Sequence, residues 1–192
     1  MEDNQKILEN IWEELKLGVE KSKHPYHIFS VSTANDNKPD SRCVVLRNID
    51  KKSKIISFHT DKRSKKIKHI NSNDNVCALF YDHQKKIQLR IYGEIYIVTS
   101  KSEIEERWKN SRNMSKLCYL NKYPPGDPIL TSKEYLCNES ELGDIERGMK
   151  NFSIINVKIE TIDWLNLNHK GHERMIINFS DNSEVNFKWV AP

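Results

Sequence analysis

Cysteine and glycine are scarce, and the signatures they carry are missing with them. The 192 residues hold only Cys43, Cys77, Cys118 and Cys137, widely spaced and without a C-x-x-C pair. Reduced thiols in a cytosolic protein are the simplest account. The six glycines never gather into a Gly-rich phosphate loop. No apolar run approaches the ~18 residues needed to span a bilayer. The start, MEDNQK, is too polar for a secretory signal. A soluble, cytoplasmic chain with no membrane partner is expected. A net charge of +4 fits an anionic small ligand as well as weak nucleic-acid contact, but the lysines are dispersed, which argues against a dedicated nucleic-acid surface. His69, His83, His169 and His172 lack the spacing of a metal site, and no Ser-His-Asp or Cys-His set has supporting context. No metal and no hydrolytic nucleophile are therefore expected. No boundary signal divides the chain, so one domain over residues 1–192 is expected.

What is present centres on Ser41 to Lys66, SRCVVLRNIDKKSKIISFHTDKRSKK. It reads as strands over Arg42–Arg47 and Ile55–Thr60, joined by the turn Asn48 to Lys54 and followed by a basic turn that opens a helix. A period of two puts Arg42, Val44 and Leu46 on one face and Cys43, Val45 and Arg47 on the other, so that the arginines point to opposite sides. Thr60, Ser64, Lys65 and Lys66 gather hydroxyls and ammonium groups at the helix start, where unpaired N–H groups favour a phosphate. On residue types alone the same turn reads equally as a solvated basic surface.

Around this stretch, Ile7, Leu8, Ile11, Trp12, Leu15 and Val19 give residues 4–22 the stripe of an amphipathic helix. Tyr26 to Ala34 alternates as a strand, with Phe29, Val31 and Thr33 on one face and a turn at Asn35-Asp36-Asn37 after it. After a short helix carrying Ile67 and Ile70, Val76 to Tyr81 is apolar on both faces, as in a central strand. Ile87 to Tyr92 and Glu94 to Val98 flank Gly93, a bulge or a bend that closes a barrel. Ser102 with Glu105 has capping-box spacing for a helix through Trp108. Tyr123 to Pro128 is a loop, and Ile129 to Lys150 is weakly helical. Four strands close the chain: Phe152 to Ile159, Ile162 to Leu167, Arg174 to Phe179, and Glu184 to Val190 after an Asp181-Asn182 turn. The pattern predicts a mainly β fold with α, an antiparallel closed or split barrel with helices at its rim.

Three polar sets stand out: the basic strands at Arg42 to Lys66, Gln88 on an otherwise buried strand, and the late group Trp164, Lys170, His172 and Arg174. Singly, Trp164 reads as core and Arg174 as a surface residue as readily as either reads as a site. Together, S-R-C-V-V-L-R, F-H-T-D-K-R-S-K-K, L-F-Y, I-Q-L-R-I-Y-G, D-W, H-K-G-H-E-R and the closing W-V-A-P follow an order that resembles the pyridoxine/pyridoxamine 5'-phosphate oxidase family. The resemblance, in a divergent bacterial form, runs from about residue 10 to Pro192 and implies an FMN-binding split β-barrel. It implies that Arg42, Ser64, Lys65 and Lys66 serve the FMN phosphate, that Val44, Val45, Leu46, Arg47, His59 and Thr60 line the flavin, and that Gln88 touches its ring. Trp164 and Arg174 would come from the second subunit of a homodimer.

On the substrate side the resemblance implies Arg47, Trp108, Arg112, either Ser115 or Lys116, and Lys170 with His172. Trp108 lacks the phenolic hydroxyl and Lys170 the planar fork that the family carries there. The implied reaction passes a hydride from a small, phosphorylated or other, substrate to FMN, with reoxidation by dioxygen and His172 as a candidate for proton transfer. An FMN-dependent reductase of another substrate and a flavin-binding module without turnover are the alternatives.

Overall fold

The computed structural model describes residues 2–35, 37–132, 139–180 and 184–192. Helix α1 (Glu2–Glu20) buries Leu8, Ile11, Trp12 and Leu15, so Trp12 is a core residue. A 3-10 turn over Pro25–His27 then leads into β1 (Ile28–Asn35), whose Phe29, Val31 and Thr33 point inward as the alternation predicts. β2 (Lys38–Asp50) and β3 (Ile55–Asp61) form the expected hairpin, with longer strands than predicted and a turn shortened to residues 51–54. Of the predicted Asn35-Asp36-Asn37 turn, Asp36 lies outside the described residues, and Asn37 adopts a φ of 61°. Next come α2 (Lys65–Ser72), β4 (Asn75–Asp82), β5 (Ile87–Ile97), α3 (Lys101–Asn110) and α4 (Asn113–Leu117). A 3-10 segment over Glu139–Asn151 precedes β6 (Phe152–Asn166), β7 (Glu173–Phe179) and β8 (Val185–Val190).

All strand pairings are antiparallel, in the order β3-β2-β1-β4-β5-β6-β7-β8, and β3 also pairs with β6. That extra pairing closes six strands into a barrel and removes their open edges, with β7 and β8 continuing outward from β6. The apolar interior runs through Phe29, Leu46, Phe58, Phe80, Leu89 and Ile155. A second buried cluster joins Val98, Trp108, Phe152 and Ile154 beside it.

Several expectations change. The two strands predicted over Phe152–Ile159 and Ile162–Leu167 are one 15-residue strand, β6, long enough to pair with β3, β5 and β7. β5 likewise runs through Gly93 without a break. The register shifts there because Tyr92 faces Thr161 while Gly93 faces Ile159, which leaves Glu160 as the extra residue. A Cβ on Gly93 would lie 1.9 Å from the Lys158 carbonyl oxygen, so this crossing of the barrel wall requires glycine. Helix α3 is capped by Ser100, which accepts from the Glu103 N–H, rather than by Ser102. Both pairs have capping-box spacing, and the earlier one prevails. β4 buries Val76, Ala78 and Phe80 on one face only, while Leu79 and Tyr81 on the other are 37% and 43% exposed. Within the predicted helix over Ile129 to Lys150, residues 129–131 are not helical and residues 139–150 are 3-10 with a kink at Asp144. The predicted Asp181-Asn182 turn lies outside the described residues.

Candidate functional site

The hairpin β2–β3 delivers its cations to one end of the barrel. The Leu46/Asn48 register shift and the fold of α4 across the strand ends bring Arg42 and Arg47 to the same cavity, although their strand positions face opposite ways. This cavity, about 320 Å³, is lined by Arg42, Val44, Val45, Arg47, His59, Thr60 and Lys66 from the hairpin side. Ser111, Ser115, Cys118 and Tyr119 close the other side. Cys43, Cys77 and Cys118 are free thiols; Cys137 lies outside the described residues.

Lys66 is the centre of the cation set. It is the second residue of α2, and its Nζ donates to Thr60 Oγ1 at 2.8 Å and Ser64 Oγ at 3.1 Å. Burial first, and then Arg42 beside it, hold its pKa below the ordinary lysine value. Among the described residues no carboxylate comes within ion-pair distance of this ammonium. A half-desolvated cation held by hydroxyls alone is a donor set for an anion, and it fits the phosphate end of FMN. Arg42 donates to Thr33 Oγ1 at 2.8 Å and to the Val31 carbonyl at 3.2 Å, and pairs with half-exposed Asp40 at 2.5 Å. Its guanidinium is thus fixed in direction before any ligand arrives.

A smaller chamber of about 250 Å³ adjoins this cavity and shares Arg47, His59, Ser111 and Ser115 with it. Arg107 from the last turn of α3 and Arg112 at the start of α4 complete its rim, with Leu46 in its wall. Burial first, and then the Arg47 and Arg107 charges, pull the His59 imidazole down to about 3. The ring is therefore neutral near pH 7, a hydrogen-bonding wall between the two spaces, packed edge-on against Phe152.

Other predicted site residues lie elsewhere. Ser64 does not line the cavity but bonds to Lys66 and Thr60, which do, and exposed Lys65 turns its stem toward Gly126. Trp108 is 2% exposed in the second core cluster, and its indole N–H donates to Glu146 at 2.7 Å instead of lining either space. Of Ser115 and Lys116, Ser115 faces the cavity, while Lys116 is buried 5.2 Å from the Trp108 ring and 3.7 Å from Glu146. Lys170 and His172 sit on the exposed β6–β7 loop, away from both spaces.

Gln88, Trp164 and Arg174 share neither cavity within this chain. Trp164 points inward between Leu89 and Met175 in register, 6% exposed, its ring 6.3 Å from that of Trp189. Arg174 is held by Asp163 through bonds of 3.0 and 2.8 Å, and Arg90 donates to the same buried carboxylate. Gln88 pairs with Tyr81 and Leu165, and Leu165 with Arg174, so these form one row on the outer face of the sheet. Arg107 and Tyr119 are site residues that the sequence reading missed. The signal for Arg107 was its place one helical turn before Ser111, whose hydroxyl donates to the Arg107 carbonyl.

Residues 8–99 match the family model described as pyridoxamine 5'-phosphate oxidase, FMN-binding domain. Over 87 residues the chain is 39% identical to a pyridoxine/pyridoxamine 5'-phosphate oxidase of Psychrobacter cryohalolentis, covering 45% of this chain and 38% of the relative. A Leptospira interrogans enzyme of the same name is 33% identical over 81 residues, 42% of this chain and 36% of its own length. The chain thus matches well under half the length of these curated relatives. The fold is shared more widely. A pyridoxamine 5'-phosphate oxidase-related, FMN-binding protein of Nostoc punctiforme superposes with a TM-score of 0.75 at 19% identity, covering 95% of this chain and 96% of that one. PhzG of Burkholderia lata, solved with tetrahydrophenazine-1-carboxylic acid, gives 0.72 at 15% identity, covering 98% and 92%.

Proposed function

We propose that this chain, whose residues 8–99 match the FMN-binding domain of the pyridoxamine 5'-phosphate oxidase family, is an FMN-dependent oxidoreductase of that family working as a homodimer. The observation that carries the reading is Lys66, a half-buried ammonium bonded to hydroxyls only, next to an oriented Arg42. These two cations and Thr60 would hold the flavin phosphate, with Val44, Val45 and His59 against the ring system. Bound FMN supplies the hydride acceptor and, after reduction, the electrons taken by dioxygen.

The chain's own residues would bind and orient. Arg47, Arg112 and Ser115 would hold the anionic end of a small substrate beside the flavin. Neutral His59 would contribute a hydrogen bond rather than a charge. The homodimer is supported by the outer sheet face, where Ile28, Leu79, Tyr81 and Tyr92 are exposed together in the same face as Gln88 and Arg174. A partner seated there would bring its own Gln88 toward the cation-lined cavity, whereas Trp164 faces the barrel interior and Arg174 is engaged by Asp163. The family match ends at residue 99, before Arg107 to Ser115, and Trp108 is a core residue. Both features favour a second reading, an FMN-dependent reaction on a substrate other than a vitamin B6 phosphate.

Purified protein should be yellow and release FMN. Incubation with pyridoxamine or pyridoxine 5'-phosphate, with peroxide as readout, separates the two readings. Flavin bleaching by a reduced nicotinamide without B6 turnover favours the second. A colourless protein that gains no thermal protection from added FMN overturns both.

A further inference from the structure

A groove of about 570 Å³, larger than either space at the β2–β3 end, is lined from α2, the end of β5, α3, the 3-10 segment and the start of β6. Buried Val98 and Phe152 form its floor, and Ile67, Ile97, Ile104 and Met149, each only half-buried, form its sides. Large apolar side chains that converge on one hollow and stay partly wetted mark a place where further apolar surface can be buried. Met149 adds a flexible thioether that adapts to what it covers. The groove shares no lining residue with either space of the candidate site. Phe152 stands between them, its ring meeting that of His59 edge-on with centroids 4.7 Å apart.

The rim of the groove is basic. Lys62, Lys101 and Lys150 are exposed there, and Glu105 is the single carboxylate among the described lining residues. Among the described residues none of these three lysines lies within ion-pair distance of a carboxylate, whereas Lys6, Lys51, Lys85 and Lys116 all do. No guanidinium is found among the described lining residues. The positive charges are ammonium points on flexible stems, without the fixed fork that reads a phosphate or paired oxygens. An apolar trough with movable positive charge at its edge complements a molecule with a long apolar body and one compact anionic head. We propose that this groove binds the anion of a straight-chain fatty acid, its alkyl chain along Ile67, Ile97, Ile104 and Phe152 and its carboxylate among Lys62, Lys101 and Lys150. Flavin takes no part in this binding, so the site stands independently of the proposed function.

The test titrates FMN-loaded protein by calorimetry with octanoate, decanoate and decyltrimethylammonium, each below its micelle concentration. Decanoate should bind once per chain and several-fold more tightly than octanoate, since each buried methylene contributes up to about fourfold. It should also bind roughly tenfold or more tightly than the cationic amphiphile of the same chain length. The double variant Lys101→Glu/Lys150→Glu, at two exposed positions, should weaken decanoate roughly tenfold while thermal unfolding and FMN occupancy stay unchanged. Neither lysine lines the chamber of Arg47, Arg107 and Arg112, so that loss places the acid in the groove. No saturable decanoate binding, equal binding of the cationic amphiphile, no gain with chain length, or an affinity unchanged in the double variant overturns the proposal. Binding to phosphatidylglycerol vesicles without binding of free decanoate overturns it in favour of a membrane contact. Should no FMN load, the proposed function fails by itself, and the same titration of flavin-free protein and its double variant still decides this one.

Discussion

Two groups of cations at different places on the barrel are handled in opposite ways. On the outer face of β5, β6 and β7, Arg90 and Arg174 share the carboxylate of Asp163, which is 2% exposed and fully engaged by them. At the β2–β3 end, Lys66 finds only hydroxyls, and Arg47, Arg107 and Arg112 have no carboxylate within reach among the described residues. The first arrangement carries its own counter-ion and works as structure, although the buried Arg90 Nε lacks a hydrogen-bond partner among the described residues. The second has no carboxylate in ion-pair contact and, at Lys66, a half-buried charge, an arrangement expected where an anion arrives from outside. Cation identity alone does not separate the two; the neighbours do.

Removing a cation from the incomplete group should have the largest functional effect. Lys66→Ala is expected to weaken FMN binding by roughly 10- to 100-fold, the scale of a charge-assisted bond, with little loss of stability. Fluorescence titration checks it, and an unchanged affinity would place the phosphate elsewhere. The complete group should behave in reverse. Asp163→Asn is expected to lower stability by about 1–3 kcal/mol, because two guanidinia lose the negative charge and one of the two accepting oxygens they share; urea unfolding reads this out.

A third effect belongs to the wall of the chamber. His59 titrates near 6.5 when unfolded but is held down to about 3 in the fold. Below pH 6.5 the unfolded chain therefore takes up a proton that the folded chain refuses. This contribution is fully present above pH 6.5 and declines toward pH 3, by up to about 1.4 kcal/mol per unit of pH. Flavin-free wild type should lose stability faster than His59→Gln between neutral pH and about pH 5; parallel curves would show that the ring is not desolvated. The smallest effect is expected at Lys65, whose stem leaves the cavity. Lys65→Ala should change FMN affinity by less than about threefold, and a loss equal to that of Lys66→Ala would erase the distinction between the neighbouring lysines.

Much of the fold was legible because it rests on local periodicity. Phe29, Val31 and Thr33 alternate visibly, the α1 stripe is regular, and the closed antiparallel barrel follows from many short strands that must hide their edges. What stayed illegible depends on distant neighbours. The union of two predicted strands into β6 follows from its pairing with three others, and the burial of Trp108 from packing against Phe152 and Tyr119. In the site, Arg42, Lys66, His59 and Thr60 were readable from one contiguous stretch. Arg107 was not, because its role arises only when α3 and α4 fold over the end of β2. Arg174 shows the converse, a candidate ligand contact whose acceptor, Asp163, is visible only in register.

The central claim, that the hairpin cations hold a flavin phosphate, is tested most directly by titrating flavin-free protein with FMN and with riboflavin, which differ only in that phosphate. The account predicts that FMN binds roughly 100-fold more tightly and that Lys66→Ala narrows the gap by most of that factor. Equal affinity for the two flavins, or a gap untouched by Lys66→Ala, would contradict it.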